Sequence, residues 1–265
     1  MHVEALFVHP VKAARAVAVD RAELCTTGFR HDRAFMIVDE NGAFLTQREL
    51  PILARLDAVI AGGVLRLRGD DGRSVDVLLS AEGSAVSVEI WGESIAATDC
   101  GASVAGLLTN FAGTTARLVR MRDGFARGVD PLYAATGDTV SFADGFPLLV
   151  TTSASVAAAR DAIGEMVDVR RFRPNIVVSG AASFAEDDWQ RISIGETVID
   201  LVKPCSRCNV LDVDPDQGRR TDHVLKGLAR IRTIGKKVLF GQNGIPRVLG
   251  TISVGDAVEV VRASP

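Results

Sequence analysis

Two short segments of this chain hold the residue types with the most chemistry. Residues 203–208 read Lys-Pro-Cys-Ser-Arg-Cys and contain a Cys-x-x-Cys pair. Such a pair has several readings. Half of a structural zinc site needs two more ligands, yet Cys25 and Cys100 are isolated and His2, His9, His31 and His223 show no paired spacing. A thioredoxin-type redox pair needs a strand-to-helix junction, where the helix N-terminus lowers the pKa of the first thiol. Here residues 209–213 read as a strand and residues 214–218 as a turn. A single functional thiolate falls on Cys208, beside Arg207 and near Lys203, because neighbouring cations favour the form that binds a soft metal. Two buried structural cysteines complete the set of readings.

The second segment is Arg170-Arg171-Phe172-Arg173-Pro174-Asn175, which leads into the apolar residues 176–178. It reads either as a strand edge blunted by charge or as an anion clamp, since guanidinium forks pair with phosphate oxygens bidentately. Near the N-terminus, His9-Pro10-Val11-Lys12 presents a lysine at a strand end, and Arg30, His31, Asp32 and Arg33 cluster before another strand. His9 and His31 read as structural histidines rather than catalytic ones.

The elements that must position these groups are mostly strands. Residues 34–39 (AFMIVD) form one, Asn41-Gly42 suits a tight hairpin, and residues 43–46 are expected to return. Residues 64–68 and 74–79 flank Gly69-Asp70-Asp71-Gly72 as a second hairpin, and residues 86–90 alternate as a strand. Residues 102–111 suit a short apolar helix, and residues 116–121 a strand. Residues 122–145 are rich in Gly and Asp without periodicity, which suggests a functional loop or a connection between lobes. Residues 146–151 read as a buried strand. Residues 153–163 read as a helix, because Val156, Ala159 and Ile163 repeat at helical spacing behind a Ser or Thr cap. Further strands are expected at residues 175–179, 190–194, 197–202, 209–213, 247–252 and 257–261, with a helix over 222–229. The class is α+β, dominated by strands, with few helices.

These segments occur in an order that resembles the MOSC family, the molybdenum cofactor sulfurase C-terminal domain. The likeness is nearest to members with an N-terminal MOSC β-barrel domain, such as the mitochondrial amidoxime-reducing components and their bacterial relatives. It rests on HPVK at 9–12, DRAFMIVDENG at 32–42, TDCG at 98–101 and FADGFPLL at 142–149. It continues through FRPNIVVSG at 172–180, CSRC at 205–208, VDPDQG at 213–218, and LFGQ with GTISVGDAVEV towards the end. The resemblance implies an N-terminal β-barrel-like domain over residues 1–119. A MOSC β-barrel with a few peripheral helices then follows over residues 120–265.

The resemblance also implies a molybdenum cofactor, a metal ion held by a phosphate-bearing pterin dithiolene. It places the protein's thiolate ligand, and the catalytic position, on Cys208. Ser206, Arg207, Arg173 and Asn175 fall on cofactor-contacting positions. Lys12 and Arg33 match basic positions that reach the pterin phosphate, and Thr152 matches, more loosely, a small hydroxyl residue near the cofactor. The family is also described as binding pyridoxal phosphate. The implied activity is reduction of N-hydroxylated compounds such as amidoximes, hydroxylamines and N-hydroxylated bases. The chain lacks the Cys spacing of a ferredoxin domain, so no iron–sulfur cluster is expected in it. Electrons are then expected from a separate ferredoxin-like, flavin or haem partner. The alternative is a carrier of molybdenum cofactor or sulfur without reductase turnover.

Composition narrows the classes that remain. The 265 residues are 47% hydrophobic and 24% charged, too apolar for a disordered chain. A formal charge of −3 gives no basic excess for general nucleic-acid binding. Four cysteines, of which only Cys205 and Cys208 are close together, favour free thiols over a secreted disulfide framework. The N-terminus lacks the pattern of a signal peptide, and the uncharged run from 100 to 116 is broken by Gly and Asn. A soluble cytoplasmic protein without membrane contact is expected.

Overall fold

A computed structural model describes residues 1–122, 125 and 127–262. The architecture is α+β and dominated by strands, with three α-helices among the described residues. The largest sheet runs, in order, through Val17–Val19, His2–Val8, Ile176–Ser179, Leu148–Thr152, Lys237–Val248, Thr197–Ser206, Trp189–Ile194 and Val258–Arg262. The first strand of the chain therefore pairs antiparallel with Ile176–Ser179, setting Leu6 opposite Ile176. Arg21–Cys25 likewise pairs with Gly250–Ser253. Val3, Leu6, Leu24 and Phe29 pack in one buried cluster with Leu148, Val150, Ile176 and Ile252, so the two ends of the chain share a core.

A separate four-stranded sheet joins Phe35–Val38, Arg117–Met121, Glu93–Asp99 and Ala85–Ile90, and a three-stranded one joins Asp57–Ala61, Val64–Arg68 and Ser74–Leu78. Helix α1 (Ala102–Ala112) buries Val104 and Leu108 in a core with Phe35, Leu65 and Leu118. Helix α2 (Ser153–Ile163) follows the strand Leu148–Thr152 directly. The Thr152 hydroxyl accepts from the Ser155 N–H at 3.1 Å, which closes the first turn. Helix α3 (Val224–Arg232) lies on α2 through Gly227, where a Cβ would come within 2.8 Å of the Ile163 backbone. Among the described residues no helix is long and apolar enough to cross a membrane.

Four expected elements differ. Residues 43–46 make only isolated bridges, Val38 to Phe44 and Ala43 to Glu89. The Asp39 carboxylate accepts from the Asn41 and Ala43 N–H groups, and the return is short: Asp39 N–H donates to the Ala43 carbonyl at 2.8 Å and Leu45 N–H to the Ile37 carbonyl at 2.9 Å before the pairing ends. Residues 209–212 form a short 3-10 turn, because the Leu211 N–H donates to the Cys208 carbonyl rather than across a ladder. Lys237–Val248 is one long strand that its glycines and proline conceal. At Gly241 φ is +74° and a Cβ would stand 2.9 Å from the Val150 carbonyl oxygen, so the strand needs glycine there. Within residues 122–145, Arg127–Gly128 pairs with Thr139–Val140, and residues 123, 124 and 126 lie outside the described residues.

Candidate active site

The strand Thr197–Ser206 carries the Cys-x-x-Cys segment to its end. The Arg207 N–H donates to the Val238 carbonyl at 2.8 Å, and the 3-10 turn begins immediately after Cys208. This holds Cys205, Ser206, Arg207 and Cys208 along one wall of the main cleft. Arg173 arrives from the turn Val169–Phe172, which the Asp168 carboxylate caps by accepting from the Arg170 N–H at 2.7 Å. Phe172 stacks on Phe240 with centroids 4.1 Å apart, and this buried pair fixes the backbone from which Arg173 projects. Lys12 follows a bridge between Val11 and Phe35, and the Arg33 N–H donates to the His9 carbonyl at 2.7 Å.

Lys12, Arg33, Arg173, Asn175, Ser206, Arg207 and Cys208 all line this cleft. Thr152 does not: its side chain is fully buried and bonds to Ser155 Oγ at 2.7 Å and Glu186 Oε2 at 3.2 Å. Asn175 faces the cleft with its hydrogen bonds already engaged. Its Oδ1 accepts from Leu149 N at 3.1 Å and Arg33 Nη1 at 3.2 Å, and its Nδ2 donates to the Phe7 carbonyl at 3.2 Å. It braces Arg33 and joins two neighbouring strands.

The guanidinium beside Cys208 is not the one that sequence adjacency indicates. Arg207 donates Nη1 to Cys205 Sγ at 3.1 Å and Nη2 to the Phe172 carbonyl at 2.7 Å. Arg48 instead brings Nη2 to 3.7 Å from Cys208 Sγ. Arg48 lies two residues beyond the segment expected as a return strand, and it also lies over the Trp91 ring at 4.8 Å. Neither Arg48 nor Trp91 was visible as a site residue in the sequence. The available signal was Trp91-Gly92 at a hairpin turn, a bulky residue where Asn or Asp is usual.

The three arginines of residues 170–173 divide their tasks. Arg170 pairs with Asp168 and Asp216, and Arg171 is buried against Asp214 and the Leu211 carbonyl. Only Arg173 reaches the cleft, with Nη1 donating to the Ala14 carbonyl at 2.9 Å.

The electrostatics of this site are dominated by burial and by mutual repulsion of cations. Burial, then Arg33, pulls the Arg173 pKa below the ordinary guanidinium value. Burial also lowers the Lys12 ammonium, although the Asp144 carboxylate opposes this; Lys12 donates to that carboxylate and, at 2.9 Å, to the Phe142 carbonyl. Beneath them, Asp32 and His9 are both buried. Burial raises the Asp32 pKa, but Arg33 and His9 outweigh it and bring it to about 2. Burial, with Arg33 and Arg173, lowers His9 to about 3, so the imidazole is neutral.

The donor set fits an anionic, sulfur-binding group. Arg48 and Arg207 have no carboxylate within ion-pair distance among the described residues, and Arg207 Nε is buried without a partner. Guanidiniums without a directly paired carboxylate at a cleft favour an anion from outside, although Asp144 also feels the Arg48 charge. Among the described residues no group of three His, Cys, Asp or Glu is placed to hold a metal ion. A metal held at Cys208 therefore needs its remaining ligands from its own cofactor.

Comparison with known proteins agrees with the motif order. The MOSC N-terminal beta barrel domain matches residues 1–115, and the MOSC domain matches residues 137–259. The chain is 31% identical over 278 residues to mitochondrial amidoxime-reducing component 1 of Homo sapiens, covering 97% of this chain and 82% of that protein. It is 33% identical over 227 residues to mitochondrial amidoxime reducing component 2 of Homo sapiens, covering 82% and 68%. Molybdenum cofactor sulfurase of Danio rerio is 31% identical over 260 residues, covering 89% of this chain but only 31% of that longer protein. The chain belongs to the MOSC family.

Proposed function

We propose that the cleft binds a molybdenum cofactor and that the protein is a reductase of N-hydroxylated compounds. The observation that carries this reading is the convergence of Lys12, Arg33, Arg48, Arg173 and Arg207 on a cleft that also presents Cys208. Phosphate neutralises such a cluster, and a single thiolate suits molybdenum already held by a dithiolene.

Each residue has a distinct task in this reading. Lys12, Arg33 and Arg173 bind the cofactor phosphate, and Asp32 with Asn175 keeps Arg33 aimed at it. Cys208 supplies the thiolate, and Arg48 holds a positive charge beside its sulfur. Ser206 and Arg207 flank the cofactor along the strand end. When bound, the cofactor supplies two-electron redox chemistry, so that an N–O bond is cleaved with two electrons and two protons and water leaves. The electrons come from a separate ferredoxin-like, flavin or haem protein.

Molybdenum-loaded protein reducing benzamidoxime with reduced methyl viologen is the direct test. Loaded protein that binds molybdenum but gives no benzamidine would replace the reductase reading with that of a cofactor or sulfur carrier. The identity to molybdenum cofactor sulfurase is what favours that second reading.

A further inference from the structure

The wall of the cleft facing Cys208 is built from three side chains with no place in the motif pattern. Trp91 meets Phe44 edge-on, with centroids 4.8 Å apart at 65°. The Arg48 guanidinium lies over Trp91 at 4.8 Å, and its Nη2 is 3.7 Å from Cys208 Sγ. All three residues line the cleft, and Trp91 is 46% exposed overall.

The backbone at Trp91 is the second observation. Trp91 and Gly92 close the hairpin between Ile90 and Glu93, with φ of +54° and +82°. Such turns favour Asn-Gly or Asp-Gly, and a bulky residue at positive φ is strained. Burial does not explain the tryptophan, since nearly half of it is exposed. Ala13, Arg33 and Arg173 are also left-handed non-glycine residues that line the same cleft. Strain of this kind concentrates where a side chain is held for a purpose.

We propose that Trp91, Phe44 and Arg48 form a substrate subsite that selects flat, conjugated N-hydroxylated molecules. The conjugated plane packs on the Trp91–Phe44 wall. The polar N-hydroxy end turns towards Arg48, which lines the cleft and whose Nη2 contact with Cys208 is its only side-chain hydrogen bond among the described residues. The subsite rests on the reductase reading, and it adds a preference for aryl over alkyl substrates.

The test compares benzamidoxime with acetamidoxime in wild type, Trp91→Asn and Trp91→Phe. Asn suits the turn, so the thermal midpoint of Trp91→Asn should equal or exceed wild type, which separates a lost subsite from a lost fold. The benzamidoxime-to-acetamidoxime ratio of kcat/KM should fall about tenfold in Trp91→Asn, mainly through KM, and be partly restored in Trp91→Phe. An unchanged ratio overturns the proposal. Binding is read independently of turnover. Trp189 is buried and Trp91 is exposed, so benzamidoxime should quench wild-type fluorescence saturably and lose that effect in Trp91→Asn. No saturable quench in wild type also overturns it. Quenching without turnover of either amidoxime removes the reductase reading and leaves the subsite standing.

Discussion

Arg48 Nη2 lies 3.7 Å from the Sγ of Cys208, although the two residues are 160 positions apart in the chain. One belongs to the segment that leaves the first hairpin, and the other to the end of a strand in the large sheet. The contact ties the two matched regions of the family together at the proposed metal-binding sulfur. Arg207, the immediate neighbour of Cys208, turns to Cys205 instead.

This relationship predicts a ranking. Arg48→Ala should speed cofactor loss by about tenfold or more, the scale of a lost hydrogen bond to a charged group. Arg48→Lys keeps the charge but loses the planar fork, and should lie between Ala and wild type. Pterin release followed by fluorescence gives the rates. Equal rates in wild type and Arg48→Ala would contradict the assignment.

The three arginines of residues 170–173 should separate by phenotype. Arg173→Ala should strip the cofactor with modest change in stability, because Arg173 faces the cleft. Arg171→Ala should cost about 3 kcal/mol or more of stability, because it leaves Asp214 and the Leu211 carbonyl without a buried cation. Arg170→Ala touches neither property strongly, since Asp216 and Asp168 are partly exposed partners. Denaturation midpoints and pterin content measured on the same preparations decide this.

Thr152→Val should lower stability by about 1 kcal/mol through loss of the helix cap, and by more if Glu186 is left short of donors. Cofactor content should match wild type, because Thr152 is buried away from the cleft. Loss of cofactor at unchanged stability would restore the role that the motif match suggested for it.

His9 and Asp32 make stability fall with acidity in two stages. His9 is held neutral, with its pKa lowered to about 3, so below about pH 6.5 the unfolded chain binds a proton that the folded one refuses. Stability should therefore drop by up to about 1.4 kcal/mol per pH unit between pH 6.5 and 3 from this group. Asp32, lowered to about 2, adds a second loss as pH falls from about 4. His9→Gln should flatten the profile between pH 6.5 and 4 and leave the lower limb. Urea titrations across this range check the sign.

Much of the fold is local and therefore readable. Residues 64–78 form the hairpin that their alternation predicts, and helix α2 spans the residues that its spacing and cap indicate. Arg173 and Cys208 stood out because their neighbours are unusual in composition. What escaped depends on distant partners. Lys237–Val248 is a strand because neighbours on both sides accept its glycines closely, a condition invisible in its own residues. The pairing of Arg170 and Arg171 with Asp216 and Asp214 crosses some forty residues of chain. Arg48 has no local mark at all, and only the turn that follows the short return of residues 43–45 brings it to the cleft.

Metal analysis of wild type beside Cys208→Ala addresses the central claim. Both proteins are expressed with molybdate and cofactor supply, purified, and assayed for molybdenum and pterin, with Cys205→Ala as the control thiol. Wild type should carry close to one molybdenum per chain, Cys208→Ala far less, and Cys205→Ala nearly the wild-type amount. Equal molybdenum in wild type and Cys208→Ala would contradict the account, because the sulfur beside Arg48 would then not be the ligand.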